Sequence, residues 1–365
     1  MQKEESKNVP LDLWSKETEV LTENGWTNSV KIGERIATYD YETGRISFEE
    51  ITAKVSRKGE ADENICVCLN NHTLMHLLET SRIAVTEGKQ EDCRCVAVKD
   101  FAQQNMRGNI IVGGLSEFSG IELEKEEIEF IGLVFSSGEI DLNNKRIIFE
   151  AQSDTEIAKK IEACLENLNL PYTMIRYDGF TKGNRAKKPC KYNVWYCELW
   201  ESLDEDRTMR IAKYMDFASS NEILNMTQEQ FAVFLSMSNS ETVKDGYTFI
   251  KMRHITPEVA DKIQMMALFR GHKVLIDDTG KDEKEIRVFK ESVALIGNKT
   301  NVIKTNWQII PAIGKNLWGV QTNGGGIVTR YGGRVVVVGG TQLDKFKKNV
   351  EGEKGEKKNG KRKNE

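Results

Sequence analysis

Short strand-like runs occupy both ends of this chain, whereas helical patterns occur only between them. From residue 17 to residue 114, apolar and polar residues alternate in short runs separated by turns such as Glu23–Gly25 and Glu42–Arg45, which is typical of antiparallel strands joined by tight turns. The same character returns from Val302 onward. Between the two ends the hydrophobic period changes from two to that of a helix. The sequence therefore predicts a β domain interrupted by an α+β insertion.

The insertion begins after an acidic stretch and contains a repeated order of elements. Residues 117–129 include six Glu and one Lys, and a helical run follows at 128–138. An amphipathic helix is predicted over 154–168, and a second series opens at Thr227, where Gln230 completes a capping box. Helix, strand, helix and two strands are predicted twice. We interpret this order as a diverged internal duplication.

Composition narrows the class of protein. With 365 residues, 30% charged and 39% hydrophobic, the chain is expected to form two or three globular domains. It has no window of about 18 uninterrupted apolar residues and no signal-peptide core. We therefore expect no membrane association and a cytoplasmic location, which includes the cytoplasm of a phage-infected bacterium.

Four of the seven cysteines form two Cys-x-Cys pairs, Cys66 with Cys68 and Cys93 with Cys95, and His72 and His76 lie between the pairs. Such a set is compatible with a zinc site. The alternative is a group of buried strand thiols that fill the core, because Cys-x-Cys lacks the turn of a zinc knuckle. The sequence leaves the metal unknown.

The C-terminal segment differs from the rest of the chain. From Asp344 to Glu365 there are nine Lys or Arg against five Asp or Glu, with little aliphatic pattern, so residues 343–365 are predicted to be a disordered basic tail. This tail either contacts nucleic-acid phosphates without sequence preference or only solubilises the protein.

Both ends resemble Hint (hedgehog/intein) domains. The run ETEVLTENGWTNSVKIGERIATYDYETGRISFEEI, residues 17–51, is similar to their opening, and WGVQTNGGGIVTRYGGRVVVVGGT, residues 318–341, to their closing motif. In the middle, FIGLVFSSG (130–138) resembles a LAGLIDADG helix, and residues 228–236 and 256–274 resemble the second half of that endonuclease. The resemblance is to phage and bacterial inteins, mobile elements that carry a homing endonuclease.

This resemblance implies a mixed fold: an all-β Hint-like horseshoe split in sequence by an α+β LAGLIDADG-type domain with a pseudo-two-fold axis. We expect the N-terminal β part at 13–116, the endonuclease-like domain at 117–300 with halves at about 128–215 and 225–300, and the C-terminal β part at 301–342.

In inteins, splicing requires an N-terminal Cys or Ser, a histidine that acts on the first scissile amide, and a terminal Asn followed by Cys, Ser or Thr. The residues at these positions are Leu13, then Leu78 and Ser81 in place of Thr-x-x-His, then Gly340 and Thr341. Nucleophile, imidazole and cyclising carboxamide are all replaced. We expect self-splicing to be lost.

In LAGLIDADG endonucleases, two helices pack through small residues and each delivers an acid that binds Mg²⁺. Gly132 suits such packing, but Ser137 precedes Gly138 where the first acid is expected, and Ser238 is the equivalent in the second helix. The nearest carboxylates that could substitute as catalytic residues are Glu139, Asp141, Glu241 and Asp245. Mg²⁺ is the expected cofactor only if cleavage persists, and otherwise there is none.

DNA binding depends on dispersed cations more than on two acids. By resemblance the partner is the major groove of double-stranded DNA, bound by a monomer. The candidate contacts are strand and loop cations: Arg146, Arg176, Lys182, Arg185, Lys187, Lys188, Lys191, Lys251, Arg253 and Arg287.

Three functional hypotheses follow. The first is a diverged intein-type homing endonuclease, a hydrolase that acts on or binds double-stranded DNA. The second is an inactive Hint/LAGLIDADG remnant that serves only as a DNA-binding or structural protein. The third is an unrelated β-rich enzyme whose ends mimic Hint. Whether the protein is an enzyme remains open at this point, because the expected metal-binding and splicing residues are replaced.

Overall fold

The computed structural model describes residues 12–70, 73–86, 93–103, 108–141, 143–180, 189–201, 204–215, 221–238, 241–244, 247–280, 283–289, 293–296 and 307–339. The chain divides into two compact units. The first unit comprises Met1–Ser116, Ala267–Ile276 and Lys290–Glu365, and the second comprises Glu117–Met266 and Asp277–Phe289. The expected bounds of 13–116, 117–300 and 301–342 stay a prediction. Residues 267–276 group with the β-rich first unit, although they lie between 117 and 300 in the sequence.

Ten strands and one short helix precede the insertion. They are β1 (Trp14–Ser15), β2 (Glu19–Thr22), β3 (Gly25–Thr27), β4 (Arg35–Tyr39), β5 (Ile46–Lys58), β6 (Asn64–Asn70), β7 (Thr73–Leu78), β8 (Arg82–Thr86), β9 (Arg94–Ala97), α1 (Val98–Gln103) and β10 (Gly108–Ile111). The sequence pattern predicted strand through residue 101, so helix α1 is a difference from expectation.

The insertion alternates helices with strand pairs. Its elements are α2 (Lys125–Ser137), β11 (Gly138–Asp141), β12 (Arg146–Gln152), α3 (Glu156–Asn167), β13 (Tyr172–Phe180), β14 (Pro189–Cys197), α4 (Glu205–Met215), α5 (Gln228–Ser236), β15 (Glu241–Lys244), β16 (Tyr247–Ile255), α6 (Pro257–Leu268), β17 (Val274–Gly280) and β18 (Glu283–Phe289). The chain then continues with β19 (Val293–Ile296), β20 (Trp307–Pro311), β21 (Asn316–Thr322), β22 (Gly326–Tyr331) and β23 (Arg334–Val338).

In the first unit, strands from the two ends of the sequence interleave in antiparallel ladders. The ladders follow the order β20, β6, β7, β1, β21, β5, β4, β22, β23, β8, β10 and β19. Strand β5 is 13 residues long and pairs with β21 through one part and with β4 through another. The late strands β20 to β23 therefore complete a sheet that the early strands begin.

Trp14 and Trp318 anchor the core of this unit. Their ring centroids lie 5.4 Å apart in an edge-to-face arrangement, and Trp14 is fully buried. Around them pack branched aliphatic residues and the thiols of Cys66 and Cys68. Aromatic and branched residues alternating along strands suit a face of this kind.

The second unit contains the duplicated order of elements that the sequence predicted, with one correction. Each half has a helix, two strands, a helix and two strands, because short strands β11 and β15 precede the predicted strands β12 and β16. In the second half, residues 267–276 of α6 and β17 group with the first unit. In the first half, β12 pairs with β11 and β14. In the second half, β16 pairs in the same way with β15 and β18. The equivalent pairing supports a duplication more directly than the sequence does.

Local sequence explains the helix ends in this unit. Thr155 caps α3 with its hydroxyl, and Thr227 with Gln230 forms the predicted capping box of α5. At the start of α2, Glu127 is fully buried, and its carboxylate contacts Arg210 at 2.8 Å and Arg207 at 3.7 Å. No helix in the described part of the chain is long and apolar enough to cross a membrane.

Candidate functional sites

The first candidate site lies in the first unit, where the chain enters the sheet. Strand β1 is inserted between β7 and β21, because Trp14 pairs with both Leu77 and Trp318. This register brings Leu13 against the turn that joins β7 to β8, which contains Leu78 and Ser81. Leu13 and Ser81 are two of the residues that the resemblance singled out in the sequence.

Ser81 hydrogen-bonds to both backbone groups of Leu13. The Leu13 amide donates to Ser81 Oγ at 2.8 Å, and that hydroxyl donates to the Leu13 carbonyl, also at 2.8 Å. The Leu78 amide donates to the same carbonyl at 2.8 Å. Ser81 is 1% exposed, so these bonds form away from water. The Ser81 hydroxyl thus contacts the amide nitrogen of the Asp12–Leu13 peptide bond.

The end of β23 lies beside the same peptide bond. The Gly339 amide donates to the Arg82 carbonyl at 2.8 Å, and a Cβ added at Gly339 would lie 1.8 Å from Asp12 Oδ2. Gly339 also has φ of +44°, a conformation that favours glycine. Residues 12, 82 and 339 therefore meet at one point, whereas Gly340 and Thr341 lie outside the described residues.

Arg82 and Tyr41 complete the polar contacts of this junction. The Asp12 carboxylate accepts from the Arg82 amide at 2.6 Å and from its guanidinium at 2.9 Å. The Tyr41 hydroxyl donates to the Gly339 carbonyl at 2.8 Å. Burial raises the pKa of Tyr41 well above its usual value, with smaller contributions from Cys95, Cys93 and Asp12, so the hydroxyl stays a donor.

This set of groups binds chain segments together but lacks the parts for acyl transfer. Leu13 carries no nucleophile, and a serine hydroxyl does not titrate near neutral pH as an imidazole does. The Asp12 carboxylate is held by Arg82 at 2.9 Å. The chemistry of the junction is that of a buried hydrogen-bond network.

The second candidate site lies in the second unit, where α2 and α5 pack against each other. A Cβ added at Gly132 would lie 2.4 Å from the backbone oxygen of Phe234, so only glycine allows the helices to approach so closely. A Cβ added at Gly138, which follows α2, would lie 2.9 Å from Val134 Cα in the same helix. The small residues of the LAGLIDADG-like motif thus lie at close contacts.

Serines occupy the adjoining ends of these two helices. Ser136 Oγ donates to the Met237 carbonyl at 3.2 Å and lies 3.4 Å from Ser137 Oγ. Ser238 is 6% exposed, and its hydroxyl has no hydrogen-bond partner among the described residues. Lys160 of α3 donates to the Ser236 carbonyl at the end of α5. The Ser136 hydroxyl and the Lys160 ammonium group thus donate hydrogen bonds to backbone carbonyls at the end of α5.

The substitute carboxylates are not gathered at these helix ends in the part that the structure describes. Glu139 is exposed on β11. Asp141 accepts from the Asn144 amide at 3.1 Å and side chain at 2.7 Å and pairs with Arg146 at 3.2 Å, and these contacts lower its pKa. Asp141 therefore closes the β11–β12 turn. The side chain of Glu241 and all of Asp245 lie outside the described residues.

The donor set around the helix ends does not fit Mg²⁺. The cation prefers several carboxylate or carbonyl oxygens in an octahedral arrangement, whereas Ser137 and Ser238 offer neutral hydroxyls. Within the described ranges, no three His, Cys, Asp or Glu residues lie close enough together to hold a metal ion. The Cys-x-Cys pairs likewise lie in the core, where burial raises the pKa of Cys66 and Cys93 to about 11.

Most of the described candidate cations for DNA already have partners. Arg146 pairs with Asp141 and lies over the Tyr196 ring at 4.7 Å, and Lys251 contacts Glu285 at 2.7 Å. Arg287 pairs with Asp277. Arg176 donates to Asn193 at 3.1 Å, and Lys191 is exposed on β14. Four further candidates, Lys182, Arg185, Lys187 and Lys188, and the side chain of Arg253 lie outside the described residues.

Asp12, Arg82, Tyr41 and Gly339 were not predicted as site residues. Arg82 is separated from Asp12 by 70 positions and Tyr41 from Gly339 by 298, so no local pattern joins them. One signal in the sequence could have found three of them, because each is next to a predicted site residue. Asp12 precedes Leu13, Arg82 follows Ser81 and Gly339 precedes Gly340.

Comparison with known proteins found little. No protein-family model and no curated protein matches the chain. The solved structures that are similar to part of it include the N-terminal LAGLIDADG domain of DUF199/WhiA, at 13% identity over 46% of this chain and 77% of that one. They also include full-length DUF199/WhiA from Thermatoga maritima, at 12% identity over 47% of this chain and 53% of that one. Both have a TM-score of 0.30, which is too low to support an argument about fold or function.

Proposed function

We propose that this protein binds double-stranded DNA but neither splices nor cuts, and that it combines a Hint-like β domain with a LAGLIDADG-type α+β domain. The observation that carries the proposal is the helix end formed by Ser136, Ser137 and Ser238. This arrangement keeps the close helix packing through Gly132, but puts hydroxyls where cleavage would need carboxylates.

The junction around Leu13 supports the same proposal for splicing. Ser81 contacts the Leu13 amide nitrogen, the position from which an imidazole would act in an intein, and Gly339 lies beside Asp12. The juxtaposition of first and last strands is what a Hint-like domain requires. The side chains that would perform the acyl shift are absent from it.

DNA binding is supported by the sequence that joins β13 to β14. This connection includes Lys182, Arg185, Lys187 and Lys188 and no acidic residue within residues 181–188. The strand cations are largely paired with Asp or Glu, so they contribute less to phosphate attraction. We therefore assign most of the electrostatic affinity to these four cations.

Incubation of the full chain with duplex DNA and Mg²⁺, followed by gel mobility and plasmid nicking assays, tests the proposal. We expect a shifted band and no nicked or linear plasmid. Replacement of the four connection cations by Gln should reduce the slope of log affinity against log salt by about 3 to 4, since each phosphate contact contributes about 0.9. Nicking by the wild-type protein would contradict the proposal.

A matched variant distinguishes the contribution of the β13–β14 connection to DNA affinity from that of the C-terminal tail. Replacement of Lys357, Lys358, Lys361 and Lys363 by Gln removes the same charge from the C-terminal segment. We expect a smaller loss of affinity from this variant. If both variants bind as the wild type does, neither group of cations supplies the electrostatic affinity. If the wild type gives no shift, DNA is not the partner.

A second candidate is a structural or interaction protein that does not bind DNA. One observation favours it: the face of the four-stranded sheet that bears Glu139, Asp141 and Glu150 also bears Ile148 and Tyr196, and its cation Arg146 is paired with Asp141. Acidic and apolar side chains together suit a protein partner better than a phosphate backbone. Absence of a band shift in the experiment above would favour this candidate.

A further inference from the structure

Strand β13 is an open edge of the four-stranded sheet in the second unit. The strand order is β11, β12, β14, β13, and β13 pairs with β14 along its whole length, from Tyr172 opposite Cys197 to Phe180 opposite Pro189. No other strand pairs with it in the described part of the chain. Its second row of backbone N–H and C=O groups is therefore free to pair with another strand.

The exposed side chains of β13 are unusually apolar for an edge strand. Met174 is 39% exposed, Ile175 51%, Tyr177 40% and Phe180 59%. Soluble proteins usually protect such an edge with Lys, Pro or a bulge, yet residues 172–180 contain no Pro or Lys and pair with β14 in an unbroken register. The edge thus has the features of an association surface.

The sequence of β13 is complementary to itself in one antiparallel register. If a two-fold axis passes through Tyr177, then Arg176 faces Asp178 of the second strand, and Asp178 faces Arg176. Met174 faces Phe180 in the same way, and the two Tyr177 residues face each other. Directly opposite residues in an antiparallel pair interact most strongly, so this register makes two ion pairs and two apolar pairs.

Other symmetric registers lose this complementarity. A two-fold axis through Arg176 puts that cation opposite its own copy, and an axis through Asp178 does the same for the carboxylate, which is destabilising. An axis through Ile175 faces Arg176 with Met174 and Asp178 with Tyr172. Asp178 has no ion pair within its own chain among the described residues, so its carboxylate is available to a partner.

We infer that two copies of this chain associate through β13, antiparallel and centred on Tyr177, to form a continuous eight-stranded sheet. Both the open hydrogen-bonding edge and the placement of charge point to a second copy as the occupant. An interface built on one strand is small, so association is weak, with a dissociation constant of about micromolar or above. The inference does not depend on DNA binding.

Sedimentation of the full chain over a range of concentrations, up to about 100 μM, tests this association. The wild type is expected to move from monomer to dimer. Asp178→Arg puts two pairs of arginines face to face and should raise the dissociation constant at least about tenfold. The double exchange Arg176→Asp with Asp178→Arg restores opposite charges and should restore the dimer.

A matched control and a cross-linking measurement test whether the dimer interface lies at β13. Lys159→Glu changes charge by two units, as Asp178→Arg does, on the exposed face of α3 and should leave the dimer intact. Tyr177→Cys should form an intermolecular disulfide on oxidation, because residue 177 faces itself, whereas Ile175→Cys faces Gly179 and should not. Wild-type protein under the same conditions gives the background from Cys190, the half-buried native thiol.

Three results would overturn the inference, provided circular dichroism shows native secondary structure. They are a wild type that stays monomeric over the whole range, a dimer unaffected by Asp178→Arg, and cross-linking through position 175 in preference to position 177. Loss of the dimer in both the single and the double variant would exclude this register.

Discussion

Ser81 lies against the backbone of Leu13, but a serine side chain cannot act there as an imidazole would. Its hydroxyl accepts from the Leu13 amide and donates to the Leu13 carbonyl, both at 2.8 Å, so it contacts a peptide bond that it cannot activate. A buried hydroxyl that satisfies two backbone groups contributes on the order of 1–3 kcal/mol when its loss would leave them unpaired. A stabilising role thus accounts for Ser81 without any catalysis.

Gly132 gives the first test at this scale. Where a helical glycine has space for a side chain, its replacement by Ala stabilises the protein by about 1 kcal/mol. Here the added Cβ would lie 2.4 Å from the Phe234 carbonyl oxygen, and such overpacking costs about 1–3 kcal/mol. The difference between the two effects is an expected loss of up to about 2 kcal/mol in the free energy of unfolding for Gly132→Ala.

Urea denaturation followed by circular dichroism measures this change. Lys125→Ala, at an exposed position near the start of the same helix, serves as the control and should alter stability little. A Gly132→Ala variant more stable than the wild type would mean that α2 and α5 are not in close contact.

The sequence could identify residues but not their long-range partners. Gly132 and Ser137 were recognisable because they belong to one short helical motif. By contrast, Asp12 and Arg82 form an ion pair at 2.9 Å across 70 positions, and neither belongs to a motif. Their partnership depends on strand register, which the sequence does not specify.

At the scale of elements, helix caps follow from local chemistry. The capping box of Thr227 and Gln230 was predicted from the spacing alone, and α5 begins where it predicts. Local hydrogen bonds select this start whatever the tertiary context. Strands β11 and β15 were missed, because each has only four residues and too little alternation to recognise.

Gln230 provides a test at this scale because it does more than cap. Its side chain accepts from Thr227 at 3.0 Å, accepts from the Ile121 amide at 3.0 Å and donates to the Ile121 carbonyl at 2.9 Å. Gln230→Ala leaves three backbone groups to find new partners. We expect a loss of about 1–3 kcal/mol in the free energy of unfolding.

The neighbouring Glu229 is exposed on the same turn, so Glu229→Ala is the matched control for helix propensity. Thermal or urea unfolding of both variants gives the comparison. Equal stability of the two variants would show that the bonds between Gln230 and Ile121 contribute nothing measurable.

At the scale of the molecule, the main expectation was a β domain interrupted in sequence. Strands β20 to β23 do pair with the early strands β4 to β8 in the first unit. The change of hydrophobic period is the sequence signal for the start of the insertion, and the second unit begins at Glu117. The end is harder to predict, because the sequence of residues 285–296 predicts one strand, whereas β18 lies in the second unit and β19 in the first.

In the first unit Ser81 hydrogen-bonds to Leu13, at positions where the resemblance implies an imidazole and a nucleophile. In the second unit Ser136 contacts Ser137 and the Met237 carbonyl, and the resemblance implies an acid at Ser137. We propose loss of chemistry on a retained arrangement as the unifying account. It predicts that restored side chains recover a partial reaction.

The most direct measurement is mass spectrometry of a Leu13→Cys, Ser81→His double variant incubated with an external thiol. The introduced thiolate would attack the Asp12 carbonyl, the Asp12–Leu13 bond would break as the amine takes a proton, and thiol exchange would release residues 1–12. We expect release from the double variant, while wild type and Ser81→His alone stay whole. A natively folded double variant that remains intact would contradict the account.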